Sequence, residues 1–136
     1  MKKRVMVQLP ISDGLKAVFD GRDDIEVELF TELSEDNIFQ HIGNYDAVIL
    51  GIAPLTPRLI EAADKLKIAS RFGVGYDAVN VPALTKAGIP LSIAGIANSV
   101  TVAEHAVFFM LALAKQAIAY DRETRTGNWG VRWDFP

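Results

Sequence analysis

Five short apolar runs recur along the first hundred residues, with amphipathic stretches between them. Val5-Met6-Val7-Gln8-Leu9, closed by Pro10, predicts a buried strand. Ile25-Glu26-Val27-Glu28-Leu29 alternates strictly, which predicts a half-exposed strand at a sheet edge. Ala47-Val48-Ile49-Leu50 is continuously apolar, as in a central parallel strand covered on both faces. Lys67–Arg71 and Pro90–Ile93 complete the strands.

Helix signals fill the gaps. Ser12 or Asp13 caps the first helix, with Leu15, Val18 and Phe19 on one face. Ser34-Glu35-Asp36-Asn37 starts the second, with Ile38, Phe39 and Ile42 inward and Gly43-Asn44 at its end. Thr56-Pro57 opens the third over Leu59, Ile60, Ala63 and Leu66. Asn80-Val81-Pro82 opens the fourth, with Leu84 and Ala87 inward, and Gly88 ends it. Strands alternating with helices in this way predict a doubly wound α/β domain with right-handed crossovers and a five-stranded parallel sheet in order 2-1-3-4-5.

The pattern changes at Ser99. Ser99–Tyr120 reads as one long helix, and Val107, Phe108, Phe109, Met110 and Leu111 leave it little polar face. Thr126–Pro136 is an irregular aromatic arm carrying Trp129, Trp133 and Phe135. The expected division is a sheet domain over residues 1–98 and a helix with its arm over 99–136. A helix apolar nearly all round has to be buried on several sides, which predicts a homodimer through the helix and arm.

Composition narrows the chemistry. The chain has 136 residues, 50% of them hydrophobic and 23% charged, which is the make-up of a globular protein able to bury a core. The absence of cysteine excludes disulfides, thiolate metal sites and cysteine nucleophiles. His41 and His105 lie far apart without zinc spacing, so no metal is expected. A net charge of −3 gives no help to nucleic-acid binding. The run after Met1-Lys2-Lys3-Arg4 is too short for a signal core, and Ala106–Ala114 is too short for a bilayer span; a cytoplasmic protein without membrane contact is the expectation.

Charge is also uneven. Between Arg71 and Lys115 the charged residues are Asp77, Lys86 and Glu104 alone. Within that stretch, Gly73-Val74-Gly75-Tyr76-Asp77-Ala78 fits G-x-G-x-x-A. It follows the fourth strand and not the first, and the next helix opens several residues later, near Asn80. No acidic residue follows at the spacing a ribose would need. Three readings stand: a dinucleotide fingerprint, a ligand-free tight turn, or a loop whose exposed amides receive a carboxylate at the carboxyl end of the sheet. Gly51-Ile52-Ala53-Pro54, Pro10-Ile11 and Ala94–Ser99 leave the other strands at that end, and none carries an ionised side chain. They can bring amides close to a small anion but hold no acid, base or nucleophile. At the start of the long helix, Asn98 or Ser99 is an N-cap. Glu104 and His105 are adjacent, so they project about 100° apart and make no catalytic pair.

Three segments taken together resemble the D-isomer-specific 2-hydroxyacid dehydrogenases, in the style of their phosphoglycerate dehydrogenase-like members: Arg71-Phe72-Gly73-Val74-Gly75-Tyr76-Asp77-Ala78-Val79-Asn80, Ala87-Gly88-Ile89-Pro90-Leu91 and Asn98-Ser99-Val100-Thr101-Val102-Ala103-Glu104-His105. The resemblance implies a flavodoxin-like substrate domain. Gly73, Val74 and Gly75, with Ile52 and Ala53 of the neighbouring loop, would bind a small 2-hydroxy or 2-keto acid. Val74, Asn98 and Val102 would border the nicotinamide of NAD or NADP, and the long helix would lead into a Rossmann domain and a dimer interface. In that family the dinucleotide fingerprint and the catalytic Arg, Glu and His lie downstream of the position matching Pro136. The expectation is therefore an N-terminal portion of an NAD(P)-dependent oxidoreductase, with no catalytic residue of its own, inactive alone and binding no cofactor alone. The alternative is a stand-alone flavodoxin-like module that binds a small anion or dimerises without catalysis.

Overall fold

The computed structural model describes residues 2–8 and 13–133. The expected positions Leu9, Pro10, Ile11, Ser12 and Phe135 lie outside the described residues. The chain divides into two compact units, Met1–Gly95 and Ile96–Pro136.

The first unit is built on strands β1 (Lys3–Val7), β2 (Ile25–Leu29), β3 (Ala47–Leu50), β4 (Ile68–Arg71) and β5 (Leu91–Ile93). All pair in parallel, in the order β2-β1-β3-β4-β5. The alternating strand β2 takes an edge and the apolar β3 the centre, as their patterns predict. β1 starts earlier than its apolar run. Lys3 and Arg4 pair with Ile25 and Glu26, and their side chains reach Asp46 and Glu28 at 2.8 Å each. Backbone pairing, not hydrophobicity, sets that end of the strand.

Helices α1 (Asp13–Phe19), α2 (Glu35–His41), α3 (Pro57–Glu61) and α4 (Val81–Ala87) connect the strands. Ser34, Thr56 and Asn80 cap the last three through side-chain oxygens, and Gly88 ends α4 at φ 70°. A 3₁₀ turn, Ile42–Asn44, follows α2 where a simple glycine stop was expected. The core lies between one sheet face and α2–α4. Met6, Val48, Leu50 and Ala69 meet Ile38, Leu59, Ile60 and Leu84 there, and all are buried. The strand order reverses direction at β1, so right-handed crossovers put α1 on the opposite face. α1 buries none of its residues; Leu15 and Phe19 are half-buried and Val18 is exposed, so its apolar face is narrower than expected.

A polar network closes the β1–β2 side of the core. The Tyr45 hydroxyl donates to Glu28 Oε2 at 2.5 Å, and Arg4 Nη2 donates to the same oxygen at 2.8 Å. The Tyr45 bond, followed by Arg4, holds the Glu28 carboxyl below its ordinary pKa, while burial and the same bond push the Tyr45 hydroxyl up. A carboxyl whose pKa is lower folded than unfolded contributes stability above its unfolded pKa, and loses it as pH falls through the folded value. Urea midpoints should drop from about pH 6 to about pH 3. The drop should be shallower in Tyr45→Phe, which removes the larger contribution. Equal slopes in the two proteins would count against the Tyr45–Glu28 bond as a source of stability.

The second unit contains α5 (Ser99–Ala114), α6 (Ala117–Arg125) and a 3₁₀ turn over Trp129–Trp133. The single helix expected over Ser99–Tyr120 is broken: Gln116 adopts a left-handed conformation (φ 48°, ψ 39°), and the two helices bend by 64°. The break falls where the apolar α5 gives way to the polar α6, and no glycine or proline marks it. None of the α5 residues is buried. Among the described residues, no single helix is long and apolar enough to cross a membrane.

Candidate functional site

In a doubly wound sheet the ligand end is the carboxyl edge of the strands, where the loops are free to meet a small molecule. Two loops are fastened together at that edge. Leu55, after β3, and Val79, after β4, form an isolated parallel bridge. Leu55 N donates to Ala78 O at 2.9 Å, and Asn80 N donates to Leu55 O at 3.0 Å. The bridge joins the far ends of the two loops that carry Gly51–Pro54 and Phe72–Tyr76. A small open cleft of about 180 Å³ lies along it, lined in part by Thr56, Asp77 and Asn80.

The glycine turn is shaped by its own carbonyls. Gly73 N donates to Arg71 O at 2.9 Å, and Gly73 O accepts from Ala94 N at 3.0 Å, tying the turn to the exit of β5. Gly73 sits at φ +149°, a conformation that residues with a Cβ rarely adopt. The amides of Val74 and Gly75 have no acceptor among the described residues, and neither do those of Ile52 and Ala53. These four donors can receive an anion. The Val74 side chain is 55% exposed and that of Ile52 84% exposed. Ala53, by contrast, is buried as a whole residue.

The helix after the turn begins at Val81, capped by Asn80 Oδ1 at 3.0 Å from Ala83 N. Its positive end therefore lies away from Gly73–Gly75, and the turn lacks the helix dipole that a dinucleotide pyrophosphate would need. Among the described residues, no group of three or more His, Asp or Glu could hold a metal ion.

In the second unit, Asn98 occupies the N-cap position of α5, as expected, and its side chain makes no capping bond among the described residues. Val102 is exposed on the first turns of the same helix. His105 packs edge-on against Phe109, ring centroids 4.2 Å apart, and has no basic or acidic partner among the described residues.

Two polar residues at this sheet edge escape a reading based on loops. Arg71 closes β4, and its Nη1 donates to Phe72 O at 2.6 Å and to Leu50 O at 3.5 Å. Gln8, just past β1, is 3% exposed, and its Oε1 has no hydrogen-bond partner among the described residues. The available signal is positional: each is a polar residue at the carboxyl end of an otherwise apolar parallel strand.

A parallel sheet in this order, with unpartnered amides at its carboxyl edge, defines a doubly wound α/β domain of the ligand-binding kind. The chain belongs to the D-isomer-specific 2-hydroxyacid dehydrogenase family, whose catalytic-domain model matches residues 5–127. It is 33% identical over 128 residues to a D-3-phosphoglycerate dehydrogenase of Archaeoglobus fulgidus, covering 93% of this chain and 24% of that protein. It is 31% identical over 138 residues to a glyoxylate reductase of Korarchaeum cryptofilum, covering 98% of this chain and 41% of that protein. Among solved structures, an NAD-dependent formate dehydrogenase from Staphylococcus aureus in complex with NAD superposes with a TM-score of 0.74 at 28% identity, over 95% of this chain and 43% of the other. The chain thus spans between about a quarter and two-fifths of the length of these relatives.

Proposed function

We propose that the chain is the substrate-holding portion of an NAD(P)-dependent D-2-hydroxyacid dehydrogenase, active in hydride transfer between C2 of a 2-hydroxy or 2-keto acid and a nicotinamide. The observation that carries this reading is the set of unpartnered amides at Val74 and Gly75, on a turn whose conformation needs glycine. Unpartnered backbone amides can bind a carboxylate without desolvating a counter-charge. Ile52 and Ala53 offer two more donors from the loop bridged to that turn. In this reading Val74 borders the nicotinamide, and the same role is proposed, separately, for Asn98 and Val102 at the start of α5. The cofactor, when bound, supplies the hydride; these residues bind and orient, and no proton is moved by any of them. The protein works in the cytoplasm as a homodimer, with α5 and the arm as the contact.

The test is a titration of the ¹⁵N-labelled chain with oxalate, a planar stand-in for a 2-keto acid, against oxamide as the uncharged control. The amide resonances of Val74, Gly75, Ile52 and Ala53 should move together with oxalate and stay still with oxamide. Shifts confined to other residues would overturn the assignment. The chain alone should not oxidise NADH with glyoxylate; turnover that co-purifies with it would show that an acid–base group lies within these residues.

A further inference from the structure

Read from its loops, the candidate site is neutral, yet a guanidinium stands at its base. Arg71 is half-buried, and among the described residues no carboxylate lies within ion-pair distance of it. Both of its protein acceptors are carbonyls, and both bonds use Nη1: Phe72 O at 2.6 Å and Leu50 O at 3.5 Å. Nε and Nη2 have no acceptor among the described residues. The group lies directly against the turn, since a Cβ built on Gly73 would be 3.2 Å from Nη1 and 3.4 Å from Cζ.

A partly buried charge without a counter-ion is costly, and a structural role alone would be served by a neutral donor. The Phe72 bond fixes one arm of the fork beside Gly73 and leaves the other arm free for a planar, two-oxygen partner. The adjoining amides of Val74 and Gly75 are free as well, so two sets of donors face the same end of the sheet. We propose that Arg71 is an anion-binding residue of this site: anchored through Nη1, it presents its free edge to the carboxylate held on the turn amides and supplies the positive charge that the loops lack. This rests on the carboxylate reading above and adds to it a residue that contacts the substrate.

The oxalate titration separates the two. In the wild-type chain the Arg71 Nε–Hε resonance should move with the same midpoint as the Val74 and Gly75 amides. Arg71→Met should weaken oxalate binding at least about tenfold, and Arg71→Lys, which keeps the charge but not the fork, by less. Amides that move while Arg71 Nε–Hε stays still would overturn the role of Arg71 and leave the carboxylate reading standing; so would an Arg71→Met chain that binds as tightly as wild type. Amides that never move would overturn both. Should Arg71→Met fail to fold, the wild-type Nε–Hε resonance and Arg71→Lys still decide the matter.

Discussion

Sedimentation equilibrium at micromolar concentration should show the chain as a dimer, and Phe108→Glu or Phe109→Glu should shift it to monomer. α5 exposes the consecutive residues Val107, Phe108, Phe109, Met110 and Leu111 around its circumference, with Leu113 78% exposed and Ile118 of α6 exposed beyond it. Glu104 is the only formally charged residue of that helix apart from His105. A contiguous apolar surface of this kind exceeds what isolated soluble chains present to water. Burying one large apolar side chain contributes roughly 1.5–3 kcal/mol. A two-fold interface uses each residue twice, so a single Phe→Glu change removes about 3 kcal/mol or more, enough to weaken the dimer by at least about 100-fold. Trp129 and Trp133 of the arm are exposed as well. A monomer whose helices remain intact by circular dichroism would overturn the proposed contact.

How far the sequence disclosed the fold depended on which force shaped each element. Ala47–Leu50 and Ile25–Leu29 were legible to the residue because burial, on two faces or on one, writes itself into the hydrophobic pattern. The caps Ser34, Thr56 and Asn80 were legible because a side-chain oxygen must meet the first free amides of a helix. The start of β1 at Lys3 was not, since its residues are held by backbone pairing and by ion pairs to Asp46 and Glu28. The break at Gln116 was not, because apolar periodicity runs up to it and a left-handed glutamine has no sequence signature. At the site, the glycine turn was visible as a motif, and its position after β4 already argued against a dinucleotide. Arg71 and Gln8 went unnoticed as strand residues. Which polar groups gather at the carboxyl edge depends on which strands lie side by side, with Leu50 opposite Arg71, and that is a property of the sheet order.

The two glycines of the turn should respond differently to the same substitution. Gly73→Ala places a Cβ on a backbone at φ +149° and within 3.2 Å of Arg71 Nη1, whose bond to Phe72 O at 2.6 Å keeps it from swinging aside. Strain of this sort costs about 1–3 kcal/mol. Urea denaturation followed by circular dichroism should therefore show Gly73→Ala less stable than wild type by that amount. Gly75 is not in the left-handed region, and a Cβ there would meet Asp77 Oδ2 at 3.4 Å, an ordinary contact. Gly75→Ala should stay within about 0.5 kcal/mol of wild type, as exposed substitutions without strain do. If the turn serves a carboxylate, the second glycine is there for the ligand's approach, so Gly75→Ala should keep its stability and still bind oxalate more weakly. If instead the turn only reverses the chain, Gly75→Ala should leave both stability and oxalate shifts unchanged, and the functional reading of the turn would fall. Equal destabilisation by the two variants would show that φ at Gly73 does not hold the turn. Gly73 then carries the shape and Gly75 the access, which is why a G-x-G spacing can occur here with no dinucleotide beneath it.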